Sequence, residues 1–270
     1  MKKMPVTFIG HGSPMNALED NTFTRGWRMM AAAIPVPTAI LMVSAHWYVR
    51  GIRILDDRSP KMTYDMYGFP AELYQIVYGA PGAPAIAHRA IELLQASQMD
   101  ARVDNSRGFD HGAWSVLQHM YPQRDVPVFQ LSIDNTAPAA VHFQIGKTLS
   151  ILREEGVLII GSGNIVHNLR LVDWSKPDQG FEWADLFDQR IQDHIVNQSY
   201  DQVVLAGSVT PAGSANLFGK EAQLSIPTPD HFFPLLYVLG ACNKHDDVQV
   251  FNNARVLGSL SMTSYLFTAD

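Results

Sequence analysis

The chain has 270 residues, 47% hydrophobic and 17% charged, with a net charge of −6 and one cysteine. This is room for one large or two small domains with an ample core, and the acidic balance with no Lys/Arg stripe excludes nucleic acid as a natural partner. The single Cys242 excludes a disulfide framework or a thiolate metal site within the chain, and no stretch approaches the roughly 18 apolar residues of a membrane helix.

In chain order, an apolar run over 6–9 reads as a buried strand that stops at Gly10-His11-Gly12-Ser13-Pro14. Glycines on both sides of His11 permit a sharp turn and close approach, and Pro14 ends the ladder. The start, Met1-Lys2-Lys3-Met4-Pro5, runs straight into this strand and does not read as a signal peptide, so the chain is expected to be soluble and cytoplasmic. A helix is expected over 22–33, then a buried parallel strand over 38–44 that ends at Ala45-His46-Trp47. A short strand follows over 52–55. Residues 56–83, rich in Pro, Gly, Tyr and Asp, form a long loop, of the kind that is functional or disordered. Its Tyr64, Tyr67, Phe69, Tyr74 and Tyr78 predict packing onto the body.

An amphipathic helix is expected over 84–97, a loop at Gly108-Phe109-Asp110-His111-Gly112, and a helix over 113–121 stopped by Pro122. A strand over 126–133 precedes a helix over 139–155 with Pro138 in its first turn. A strand over 157–160 runs into Gly161-Ser162-Gly163-Asn164, and a helix covers 182–196. Thr228 or Asp230 is placed to cap a helix reaching Gly240, and late strands fall at 248–251 and 261–267. Strands alternating with helices, with no repeat or linker, predict one α/β domain over 1–270: a central mixed, largely parallel sheet flanked by helices.

Ten histidines invite a search for chemistry. His88, His142, His194 and His245 sit in helices or a polar stretch and read as surface or structural. His11, His46 and His167 follow apolar strands, where α/β sheets gather ligands, and His231 stands at a helix start. Together they form a candidate metal set, since neutral imidazole suits zinc or iron and a catalytic metal keeps open positions. His111 is intermediate. Asp110 and Asp230 serve either to orient the adjacent imidazole or as turn and cap residues. Gly161-Ser162-Gly163 is not a nucleophile elbow, and Gly10-x-Gly12 lacks the rest of a dinucleotide fingerprint. Serine hydrolysis through Ser13 or Ser162 stays open.

Six ordered motifs then carry a resemblance: Gly10-His11-Gly12-Ser13-Pro14, Ser44-Ala45-His46-Trp47, Gly68-Phe69-Pro70, Gly108-Phe109-Asp110-His111-Gly112, Ser162-Gly163-Asn164-Ile165-Val166-His167-Asn168 and Thr228-Pro229-Asp230-His231. The chain resembles the class III extradiol ring-cleavage dioxygenases, closest to their single-chain 4,5-DOPA dioxygenase branch. The resemblance implies a divalent metal on His11, His46 and His231, with His231 where two-subunit relatives have a glutamate; the glycines beside His11 are then expected to leave room for the metal and its substrate. It makes His167 the acid–base group, close enough in some members to count as a fourth ligand, and His111 a substrate-pocket histidine. It implies Fe(II) for dioxygenase activity, with Zn(II) compatible with three neutral ligands, and a small catechol plus dioxygen as reactants. Tyr64, Tyr67 and Phe69 either line the ring pocket or pack the loop. The same histidines also suit a zinc hydrolase, whose metal-bound water has a pKa near 7, or a non-catalytic binding protein on this scaffold. The oligomeric state is not readable from these residues.

Overall fold

A computed structural model describes residues 3–208 and 218–269. Among these, the strands are β1 (Val6–Gly10), β2 (Ala39–Val49), β3 (Ile52–Ile54), β4 (Ala101–Val103), β5 (Val128–Asp134), β6 (Val157–Gly163), β7 (Asp247–Phe251), β8 (Arg255–Val256), β9 (Leu260–Ser261) and β10 (Ser264–Thr268). The helices are α1 (Thr22–Ala32), α2 (Pro84–Ala96), α3 (His111–Met120), α4 (Ala139–Leu149), α5 (Glu182–Val196), α6 (Tyr200–Gly207), α7 (Gly219–Ser225) and α8 (Phe233–Ala241).

Eight strands form one mixed sheet in the order β4-β3-β5-β2-β6-β1-β10-β7. The central four, β5, β2, β6 and β1, are mutually parallel, and antiparallel pairs lie toward the edges. Both faces of the central strands are covered, so these strands read as continuous apolar runs rather than alternating ones. Leu41, Val43, Val157 and Ile159 face one core together with α2, α4, α5, α6 and α8. Ile40, Met42, Leu158 and Ile160 face the other, against α1 and α3. The expected single α/β domain with a largely parallel sheet is the observed fold.

Four local departures from the sequence expectation matter for function. Strand β2 does not end before His46. Its pairing with β5 breaks between Val43 and Tyr48, where five steps on β2 oppose two on β5, from Leu131 to Ile133. A bulge of this kind re-aims side chains, and His46 sits in it. Helix α3 begins at His111, two residues earlier than expected, because the Asp110 carboxylate accepts from the Ala113 amide at 3.2 Å and caps it. The strand expected over 261–267 is split: Met262 and Thr263 leave the ladder, and the Thr263 hydroxyl turns to buried Asp188 of α5. Helix α8 starts without a side-chain cap from Thr228 or Asp230.

The other end of the sheet is fixed by a fully buried ion pair. Arg153 donates from Nη1 to Asp246 Oδ2 at 2.6 Å and to the Ala241 carbonyl at 2.8 Å, and from Nε to the Met4 carbonyl at 2.7 Å. Removing one partner strands the other's charge in the interior. Asp246→Ala is therefore expected to lower stability by about 3–5 kcal/mol, read as an earlier urea midpoint. The double variant Asp246→Leu with Arg153→Met is expected to recover most of that loss.

Candidate metal centre

Five imidazoles meet at the carboxyl ends of β1, β2 and β6. His11 directly follows β1, and its amide donates to the Gly163 carbonyl at 3.1 Å, which ties it to the end of β6. His46 projects from the β2 bulge, and His111 from the first turn of α3. His231 precedes α8, with its carbonyl accepting from the Asn164 amide at 2.9 Å. His167 lies past β6, its ring stacked on His231 at 3.4 Å and 5°. The ring nitrogens of His11, His46 and His111 fall within 4.8 Å of one another, and a second such group joins His167, Asp230 and His231. The His231 ring centre lies 4.9 Å from that of His46 and 5.3 Å from that of His11, so the two groups share one centre.

Protons can be placed on these rings from their partners. The Ser162 hydroxyl gives its only proton to the Gly112 carbonyl, at 2.6 Å, so it accepts from His11 Nδ1 at 3.0 Å. His46 Nδ1 lies 3.2 Å from Asp65 Oδ2. Burial pushes the Asp65 carboxyl up, but hydrogen bonds and charge from His111 outweigh it and hold the group below its ordinary range, so an anionic carboxylate faces His46 Nδ1 and favours a proton on that nitrogen. His231 Nδ1 donates to Asp230. Asp230 is likewise held low: burial opposes ionisation, and the His231 contact and the Thr228 hydroxyl overcome it.

With their Nδ1 atoms so engaged, His11 and His46 bring their Nε2 atoms to 3.1 Å of each other, lone pair against lone pair. Burial first, and the neighbouring imidazoles second, hold both rings well below the ordinary histidine pKa. The arrangement fits a metal cation held by these nitrogen donors, His11 backed by the Ser162 hydroxyl and His46 by the Asp65 carboxylate. Burial and then His231 also hold the His167 pKa well below its ordinary value, but among the described residues its ring makes no hydrogen bond.

The glycines of the first motif have a different purpose from the one expected. A Cβ on Gly10 would lie 2.6 Å from the Met262 backbone, and one on Gly12, whose φ is +61°, 2.5 Å from Met262 Sδ. They admit the Met262 bulge of the C-terminal segment rather than leaving space for a metal. The glycine that makes room at the centre is Gly112, where a Cβ would sit 2.9 Å from the His46 ring.

Of the two candidate orienting carboxylates, Asp230 contacts its imidazole and Asp110 does not. Asp110 caps α3 and accepts from Ser44 Oγ at 2.6 Å and from Gln130. Ser162 is committed to His11 and Gly112, and Ser13 caps a short 3-10 turn, accepting from the Met15 amide at 3.2 Å; neither is arranged as a nucleophile. Tyr67 is 90% exposed, while Tyr64 donates to the Ile76 carbonyl at 2.7 Å and packs near Trp114, so loop packing accounts for it. His142 is structural: it is buried, bonded to the Tyr237 hydroxyl at 2.9 Å, with a pKa pushed down to about 4 by burial. Sequence reasoning missed Ser162 and Asp65 as the partners of His11 and His46. Asp65 carried a signal, being an acidic residue in a long loop rich in aromatics, but nothing in sequence tied it to His46.

Residues 6–261 match the family described as the catalytic LigB subunit of aromatic ring-opening dioxygenase. The chain is 43% identical over 264 residues to the 4,5-DOPA dioxygenase extradiol of Escherichia coli strain K12, spanning 97% of this chain and 94% of that one. It is 36% identical to the 4,5-DOPA dioxygenase extradiol of Beta vulgaris, spanning 97% and 96%. The crystal structure of an uncharacterized protein from Escherichia coli K12 superposes with a TM-score of 0.76 at 39% identity, covering 98% of this chain and 99% of the other. With its histidines gathered at one end of the sheet and the likeness running almost end to end, the chain belongs to the catalytic LigB family of aromatic ring-opening dioxygenases.

Proposed function

We propose that this chain cleaves the ring of L-DOPA or a related catechol in extradiol fashion, using one divalent metal held by His11, His46 and His231. The observation that carries the reading is the pair of Nε2 lone pairs facing each other at 3.1 Å in His11 and His46. The relatives' names carry the choice of catechol, and the family's ring-opening chemistry favours it over a zinc hydrolase or a binding protein. No helix among the described residues is long and apolar enough to cross a membrane, in keeping with a small, water-soluble substrate; a cytoplasmic setting is part of the proposal.

Bound at this site, Fe(II) supplies a Lewis acid that two adjacent catechol oxygens can chelate and an electron route to dioxygen; Zn(II) suits the same neutral donors without the redox chemistry. The protein's part is orientation and proton handling. His11 and His46 bring their Nε2 atoms together, and the His231 ring lies beside both with its Nδ1 on Asp230. His167, its pKa held low by burial and its ring without a hydrogen bond among the described residues, is the group that takes a catechol proton and returns it. Its stacking on His231 holds it beside the metal ligands, and it also lies within reach as a fourth ligand. His111 hydrogen bonds to the substrate. One catechol and one dioxygen give one ring-opened semialdehyde, with both oxygen atoms retained and no external reductant.

Anaerobic loading with Fe(II), then L-DOPA and oxygen, is expected to give oxygen uptake equal to the catechol consumed and a yellow product. No uptake with any catechol tested refutes the activity. His11→Ala and His231→Ala are expected to lose bound metal on desalting, measured by elemental analysis. His167→Gln is expected to keep most of its metal while kcat falls by about 10²–10⁴, the usual contribution of a positioned acid–base group; a normal kcat in that variant removes His167 from the proton-transfer role.

A further inference from the structure

The long loop between β3 and α2 places one carboxylate against two of the five histidines. Asp65 Oδ1 accepts from the His111 backbone amide at 3.0 Å and lies 3.1 Å from His111 Nδ1. Asp65 Oδ2 lies 3.2 Å from His46 Nδ1. Both oxygens are thus taken, each facing an imidazole Nδ1. The loop is built to hold that position. Residues 61–63 run beside 108–109: the Thr63 amide donates to the Phe109 carbonyl at 2.7 Å and the Phe109 amide to the Lys61 carbonyl at 2.8 Å. The Trp114 indole donates to the Thr63 carbonyl at 3.2 Å, and the Gly108 amide donates to Thr63 Oγ1 at 3.0 Å. Gly108 is packed so closely against the Lys61 carbonyl that any side chain there would drive the two segments apart.

A carboxylate is acceptor-only, so it favours a proton on the Nδ1 that faces it, and a neutral imidazole so held leaves Nε2 bare. We propose that Asp65 is a positioning residue for the centre, a single carboxylate that sets the tautomers of His46 and His111 together. For His46 the consequence is an Nε2 lone pair directed at the metal. For His111 in its neutral form it is an Nε2 that accepts, suited to a hydroxyl of the catechol. The two rings, with centres 3.8 Å apart, are held as a unit by one side chain. This inference rests on the reading of His46 as a metal ligand.

The test uses the full chain labelled with ¹⁵N-histidine, free of metal and loaded with zinc, as wild type and as Asp65→Asn. Imidazole ¹⁵N shifts distinguish protonated, bare and metal-bound nitrogens, and His46→Gln and His111→Gln samples assign the two rings. In wild type both rings are expected as Nδ1–H tautomers. Asparagine offers one acceptor and one donor, so in Asp65→Asn at least one ring is expected to switch to Nε2–H. Zinc affinity, measured by chelator competition, is expected to fall by about 10–100-fold, the usual cost of losing a ligand's hydrogen-bond partner. An Nε2–H tautomer at either ring in metal-free wild type overturns the proposal, and so does a variant in which neither ring switches. If wild type takes up no zinc, the metal reading falls, while the tautomers of the metal-free protein still decide the role of Asp65.

Discussion

Two imidazole nitrogens with lone pairs aimed at each other across 3.1 Å repel unless a cation lies between them, and much of the surrounding structure exists to hold them there. Each ring is gripped from behind: His11 by the Ser162 hydroxyl, His46 by Asp65, His231 by Asp230. Each grip is in turn anchored in the sheet or at a helix start. Ser162 lies within β6, in register with Ile9 of β1 and Ser44 of β2, so the hydroxyl that orients His11 is fixed by the same ladder that carries His11. A buried polar atom without such a partner costs about 1–3 kcal/mol; here the partners are supplied, and the donor atoms are left facing one another before any metal arrives.

The C-terminal segment completes this arrangement from below. Met262 packs into the space left by Gly10 and Gly12, and the Gly10 amide donates to Ser264 Oγ at 3.0 Å. The hydroxyls of Ser261 and Thr263 and the guanidinium of Arg255 converge on Asp188 of α5, which is wholly buried. Burial pushes the Asp188 carboxyl up against these partners. The Asn164 side chain donates to the Ser261 carbonyl at 2.7 Å, so the loop leading to His167 is tied to the same segment. The chain's last strands therefore act on the turn after its first strand, which is why a motif at residue 11 depends on residues near 262.

Much of this was legible in the sequence. Apolar runs ending at histidines marked β1, β2 and β6, and the parallel arrangement followed from strands buried on both faces. What was not legible depends on tertiary contacts. The bulge that carries His46 has no sequence signal, since Ser44 to His46 reads as the end of a strand rather than as an irregularity within one. The start of α3 at His111 depends on Asp110, which sequence read equally as an imidazole partner. The glycines beside His11 were correctly seen as required but assigned to the wrong neighbour, because nothing in sequence brings Met262 to them. Helices α6 and α7 were missed because both are short, with seven or eight residues, too few for a clear 3.6-residue period.

The charge pattern gives the proposed ligand set a particular chemical character. Iron sites of the two-histidine, one-carboxylate type place the anion on the metal itself. In the proposed set three imidazoles take the contact positions, and the carboxylates stand behind them, Asp65 behind His46 and Asp230 behind His231. An anion in that position still raises the basicity of the nitrogen it backs, so part of its charge reaches the metal through the ring. The remainder is withheld, which leaves the cation more positive toward an incoming ligand. A catechol gains from this directly, because it binds as an anion and brings the charge the protein has kept back. On this reading the site is electrostatically incomplete until its substrate arrives, and His167, without a hydrogen bond on its ring among the described residues, is the proposed acceptor of the proton released by that binding.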